Sequence, residues 1–244
     1  MNNRAVQLGL LVLLFMVAIA LLVSLGVWQL QRGELKSSRY EQFSRRLAEP
    51  TVDYDLFNHQ TAPEDRLWRQ VRLVGQFDNS RLLLDNRTRQ GQIGYEVFAP
   101  FVTNNGLVVL VARRWIRQPA TRDTVPPLIR SSDQVEIRGY IGGPPATGLR
   151  FNAQSDEIEL LDAATWRSQR IDLERLSGLW NKPLSPDIIY LVANDKTADF
   201  TTGWPMPGDG SARHRAYAVQ WFAMAAVLFL IGCRLWLKRK QADD

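Results

Sequence analysis

The chain has 244 residues, a net charge of +5, two histidines and one cysteine, Cys233. A lone cysteine excludes an internal disulfide, a Cys-x-x-Cys redox pair and a paired-thiolate metal site, and two histidines exclude a three-histidine zinc centre. Many of the basic residues flank two apolar runs, so membrane topology accounts for them and no nucleic-acid partner is expected.

The first apolar run covers residues 8–27 and passes into Trp28, Gln29 and Arg32. At about 20 residues it exceeds the roughly 7–15 of a signal-peptide core. Ala18 and Ala20 have cleavage-like spacing, but no small-residue site follows the run. An uncleaved membrane helix is therefore expected over residues 8–30. The following stretch places Leu35, Tyr40, Phe43 and Leu47 near a helical period and stops at Pro50, so it is expected to carry the helix outward. Residues 51–66 have weak periodicity and read as loop.

Strand signals come next. VRLVGQF alternates Val71, Leu73, Gly75 and Phe77. RLLLDNR follows an Asp-Asn-Ser turn, which predicts a hairpin between the two. GYEVFAPF is a further short strand, and Asn104-Asn105-Gly106 is a strong turn signal. LVVLVARRW is continuously apolar, as in a strand buried on both faces. QVEIRGYI alternates and ends at Gly142-Gly143-Pro144-Pro145; EIELL is short and strand-like. Asp172 is placed to cap the helix LERLSGLW, which Pro183 follows. DIIYLVA reads as a last strand, and GWPMPGDG as a turn-rich linker.

The second apolar run has Gln220 and Arg234 as its only strongly polar side chains from Ala216 to Leu237. Trp221 and Trp236 lie towards its ends, and Arg234, Lys238, Arg239 and Lys240 close it. Such a cluster stays cytoplasmic. With two spans, the expected order is a cytoplasmic N-terminus (residues 1–7), a first span (8–30), a periplasmic β-rich domain (31–213), a second span (214–237) and a basic cytoplasmic tail (238–244). The fold class is α+β: two transmembrane helices flanking one mainly antiparallel domain with few helices. The expected location is a bacterial inner membrane.

Enzyme motifs are absent: there is no Gly-x-Ser-x-Gly elbow, phosphate-binding loop or His-Glu-x-x-His. Paired carboxylates such as Asp53/Asp55 and Glu157/Glu159 read as solvated surface. One cysteine and four methionines without a tight cluster argue against a copper carrier. What stands out is a set of aromatic–basic–glycine strings. LGVWQLQR holds Trp28, Gln29 and Arg32; LLLDNRTRQGQIGYEVFAP holds Arg87, Gly94 and Tyr95; VVLVARRW holds Arg113 and Trp115; HRAYAVQWF holds His214, Tyr217, Gln220 and Trp221. Each has a plain structural reading: Trp28 as an interfacial anchor, Arg113 as a solvated strand end, Gly94 as a bend or bulge.

Together these strings resemble the surfeit locus protein family of cytochrome c oxidase assembly factors. That family has Leu-Gly-x-Trp-Gln-x-x-Arg after its first span. It then has Leu-Leu-Asp-x-Arg with Gly-x-x-Gly-Tyr-x-Val and a closing Pro, matched here with one residue inserted or altered. It has Val-Leu-Val-Asn-Arg-Gly-Trp, and His-x-x-Tyr-Ala-x-Gln-Trp-Phe at the second span. The chain departs from the third string, with Ala112 and Arg114 in place of Asn and Gly. The resemblance implies a non-enzymatic factor that assists delivery of haem a to the catalytic subunit of the oxidase. Implied partners are oxidase subunits, above all the haem-bearing one, haem a synthase and membrane lipid. A scaffold that binds subunits and no cofactor is the alternative, and a periplasmic enzyme the third reading.

On a helix, Tyr217, Ala218 and Trp221 share a face with His214. An imidazole beside flat rings and a small residue is a setting for haem, and Arg213 and Arg215 could pair with propionates. The resemblance assigns haem binding to the matching histidine; an interfacial histidine in an aromatic belt is the other reading. His59 lies in what reads as a polar loop. Gln29 and Gln220, both polar groups in apolar helices, are each expected to seek a hydrogen bond, and the two spans are expected to be neighbours.

Overall fold

A computed structural model describes residues 3–122, 124–127, 133–145, 157–192 and 210–243. The chain divides into two units, Met1–Ser44 with Pro207–Asp244, and Arg45–Met206. Ala193 and residues 203–209 of the expected linker lie outside the described residues.

The first unit is a pair of helices. Helix α1 runs unbroken from Asn3 to Ala48, so the amphipathic stretch after the apolar run is its outward half. Helix α5 covers Ser211–Asp243. Both are long and apolar enough to cross a membrane. The helices pack antiparallel: Gly33 meets Ser211 and His214, Gly26 meets Phe222, and Gly232 meets Phe15. The stretch from Phe15 to Gly33, at about 1.5 Å per residue, covers about 27 Å, close to the ~30 Å of a hydrocarbon core.

The second unit is built on β-strands: β1 (Val52–Asp53), β2 (Gln70–Phe77), β3 (Arg81–Arg89), β4 (Gln92–Thr103), β5 (Val108–Arg117), β6 (Val135–Gly142), β7 (Glu159–Asp162), β8 (Thr165–Ser168) and β9 (Leu184–Leu191). The sheet order is β1-β2-β6-β9-β5-β4-β3-β8-β7, with a further pairing of β2 to β4. That pairing closes β2, β4, β5, β9 and β6 into a five-stranded barrel. Strands β6, β2, β4 and β5 lie side by side in the Greek-key order, and β9 closes the ring parallel to β5.

The alternation seen in the sequence fills this barrel. Val71, Leu73 and Phe77 of β2, Ala99 and Phe101 of β4, Val109 and Val111 of β5, Ile137 and Ile141 of β6, and Ile189 and Leu191 of β9 form one buried cluster with Tyr54. Successive strand residues point to opposite faces, so one parity turns inward on every strand. The other face of β5 is covered as well, since Val108, Leu110 and Ala112 are also buried. That explains the unbroken apolar run. Where β2 crosses to β4, Gly75 is required: a Cβ there would sit 2.0 Å from the Val102 carbonyl oxygen.

Two local expectations are corrected. Residues 51–66 are not loop: Asp53 caps α2 (Tyr54–Gln60), and Pro63 starts α3 (Pro63–Arg66). The β2–β3 hairpin does not form, because β2 pairs with β1, β4 and β6 while β3 pairs with β4 and β8. The hairpin is instead β3–β4, turned by Gln90 (φ 49°) and Gly91 (φ 76°). Strand β8, TWRS, carried too few residues to be read. Helix α4 (Leu173–Trp180) forms where expected, with the Asp172 side chain accepting from Arg175 N at 3.0 Å, and it packs on β9.

Candidate functional site

In the helix pair, small residues recur on α5 every seventh position: Ser211, Ala218, Ala225 and Gly232. The first three are buried, and Gly232 packs against Phe15. On α1, Gly26 and Gly33 have the same spacing. Small residues let helix backbones approach, and a seven-residue repeat keeps the contact line facing its partner. A Cβ on Gly33 would lie 3.3 Å from His214 Cβ, and one on Gly26 would lie 2.6 Å from the Phe222 ring.

This close approach brings two predicted residues together. His214 Nδ1 lies 2.7 Å from Gln29 Oε1. Both side chains are half-buried. The spans are neighbours, as expected, and Gln29 finds its partner in the opposite helix. That partner is not Gln220, which is exposed. Trp221 is half-buried beside the seam, while Tyr217 is exposed. Ala218, the small residue on the His214 face, is fully buried. Trp28, Arg32, Arg213 and Arg215 are exposed; the Arg215 guanidinium donates to Ser211 Oγ at 3.0 Å. His59 lies at the end of α2, exposed, and not in a loop.

The other strings form a second cluster on β3, β4 and β5. Arg87 and Gly94 are register partners, and Glu96 is paired with Trp115. The Trp115 indole N–H donates to the Arg87 carbonyl oxygen at 2.8 Å. A Cβ on Gly94 would sit 2.2 Å from the Ile116 carbonyl oxygen and 2.4 Å from the Trp115 ring, so only glycine admits that indole. Tyr95 is buried with Leu83 and Val97. Arg113 stands apart, its guanidinium 4.1 Å from the centre of the Phe77 ring. Ala112 is fully buried between Phe98 on β4 and Tyr190 on β9, and Arg114 is half-buried. The sequence reading missed Glu96, a buried carboxylate 3.5 Å from Arg87. Burial pushes its pKa up, and the charges of Arg87 and Arg89 offset part of that rise.

A buried ion pair ties the short helices to the barrel. Arg66 of α3 meets Asp187 of β9 at 2.6 Å; both are almost fully buried. Tyr54 donates to Asp187 at 3.1 Å and lies 2.7 Å from the Ser185 hydroxyl. Among the described residues no group of three His, Cys, Asp or Glu is placed to hold a metal ion.

Residues 16–226 match the SURF1 family, a span that takes in most of α1, the barrel and the first half of α5. The chain belongs to the SURF1 family. A SURF1-like protein of Rickettsia felis is 26% identical over 240 residues, covering 90% of this chain and 93% of the relative. One from Rickettsia bellii is 26% identical over 236 residues. An uncharacterised SURF1-like protein of Mycobacterium bovis is 33% identical over 109 residues, and this alignment covers 40% of that relative's length.

Proposed function

We propose that this SURF1-family protein is a membrane-anchored assembly factor for haem–copper cytochrome c oxidase, which holds haem a at His214 for the catalytic subunit. Membership of the family, whose members act generally in oxidase assembly, supports the broad role. One observation carries the finer reading. His214 is half-buried where the small-residue seam begins, with one ring nitrogen engaged by Gln29 and Trp221 one face-repeat further on. These residues suit haem: a neutral imidazole is an axial ligand for its iron, and indole and phenol rings are suitable walls for a porphyrin. His214 would supply the iron ligand, Trp221 and Tyr217 the apolar contact, and Arg213 and Arg215 the charge for propionates. Haem a is the group to be installed in the oxidase, so the protein's part is to hold, orient and release it, with no turnover of its own. Oxidase subunits, haem a synthase and lipid are the partners this role requires. The basic end of α5 supports cytoplasmic termini and a periplasmic barrel.

A second reading has its own support. His214 already has a protein partner, so it can serve as a helix-pairing residue in a scaffold without cofactor. Expression with haem a available separates the two. The haem reading requires a Soret band in the purified protein that His214→Ala loses or shifts and His59→Ala keeps. A colourless wild type, or an unchanged spectrum in His214→Ala, leaves the scaffold.

A further inference from the structure

We propose that Gln29 is the positioning residue for His214: it fixes the ring's orientation and tautomer so that Nε2 is the nitrogen offered to a ligand. This rests on the reading of His214 as a haem ligand. The two residues are 185 positions apart in sequence and meet at 2.7 Å. The Gln29 atom in the contact is the amide oxygen, which accepts and cannot donate, so Nδ1 carries the proton. A neutral imidazole has one N–H, and Nε2 therefore keeps its lone pair.

The surroundings hold this arrangement. Gly26 and Gly33 lie three residues before and four after Gln29, on its own face of α1. Their missing side chains let α5 approach until His214 Cβ is 3.3 Å from where a Cβ on Gly33 would be. An amide in an apolar seam is costly without a partner, and the imidazole is the partner supplied. Metal-ligating histidines generally donate their second N–H to an oxygen acceptor. That bond sets the tautomer and raises ligand basicity, and its loss costs about 10–100-fold in affinity or activity. Gln29 stands in that position towards His214.

The test uses the full chain in detergent, with 15N-labelled histidine in a His59→Ala background, so that His214 alone reports. At a pH where the ring is neutral, the nitrogen shifts distinguish Nδ1–H from Nε2–H without any ligand. Expected are the Nδ1–H form in wild type, its retention in Gln29→Glu, and its loss in Gln29→Leu. Haem titration should follow, with Gln29→Leu binding about 10–100-fold more weakly and Gln29→Glu retaining haem with a raised iron–histidine stretching frequency. An Nε2–H ring in wild type overturns the proposal. So does a Gln29→Leu variant with wild-type tautomer and haem affinity. If Gln29→Leu does not accumulate, the wild-type tautomer and its retention in Gln29→Glu decide. A wild type that holds the Nδ1–H form yet takes no haem defeats the ligand reading and leaves the hold of Gln29 on the ring standing.

Discussion

Asp187 is buried with Arg66, and the two bridge α3 to a barrel strand. Such a pair matters most when it is broken, because the remaining charge is stranded away from water. Asp187→Ala should therefore lower stability by about 3–5 kcal/mol in urea unfolding. A cost near that of a surface substitution would contradict the burial of Arg66. Glu96 poses the opposite case, since its burial raises the pKa despite Arg87 and Arg89. The folded protein then keeps the Glu96 proton at pH values where the unfolded chain has lost it. Fewer protons bound in the unfolded state mean that stability falls as pH rises. The fall begins near the ordinary glutamate pKa, is complete above the raised one, and persists at neutral pH. Glu96→Gln should remove this slope, so the urea midpoints of variant and wild type should diverge as pH rises through that window, the variant being the more stable. Parallel curves would show that Glu96 titrates as an exposed carboxylate.

At the scale of elements, the helix seam makes a direct prediction. The Cβ position of Gly33 lies 3.9 Å from Ser211 Cα, which places the two Cα atoms within the span a disulfide bridges. With Cys233→Ser, the double variant Gly33→Cys/Ser211→Cys should crosslink on mild oxidation and shift on a non-reducing gel. No crosslink in membranes would rule out this register. The barrel core was largely legible, because Val71, Leu73, Ile137 and Ile141 alternate as a half-buried strand must, and Val108 to Ala112 are apolar on both faces as a covered strand must be. The β2–β3 hairpin was misread for a physical reason. The Asp-Asn-Ser turn is local, whereas closing the barrel gives β2 partners in β4 and β6 that lie far along the chain. In the candidate site, His214 and Gln29 were visible as polar residues at apolar helix ends, but their partnership was not, since pairing across 185 residues leaves no periodic mark. The seven-residue spacing of Ser211, Ala218, Ala225 and Gly232 was the readable sign that those faces meet.

At the scale of the whole molecule, the order of helix, barrel and helix matters for topology. The proposed topology, argued from two candidate spans and the basic cluster at the end of α5, has both termini in the cytoplasm and the barrel outside. Alkaline phosphatase fused within residues 104–106, an exposed turn, should be active, and a fusion after α5 should be silent. The reverse pattern would invert the proposed topology. The central claim is that this SURF1-family chain serves oxidase assembly through His214. The most direct test is complementation of a deletion strain that has no second gene of the family, reading haem a content and cytochrome c oxidase-dependent oxygen uptake in its membranes. The account predicts that deletion lowers both while oxidase transcripts persist, that the wild-type chain and His59→Ala restore them, and that His214→Ala does not. Unchanged haem a and oxygen uptake in the deletion strain, or full restoration by His214→Ala, would contradict it.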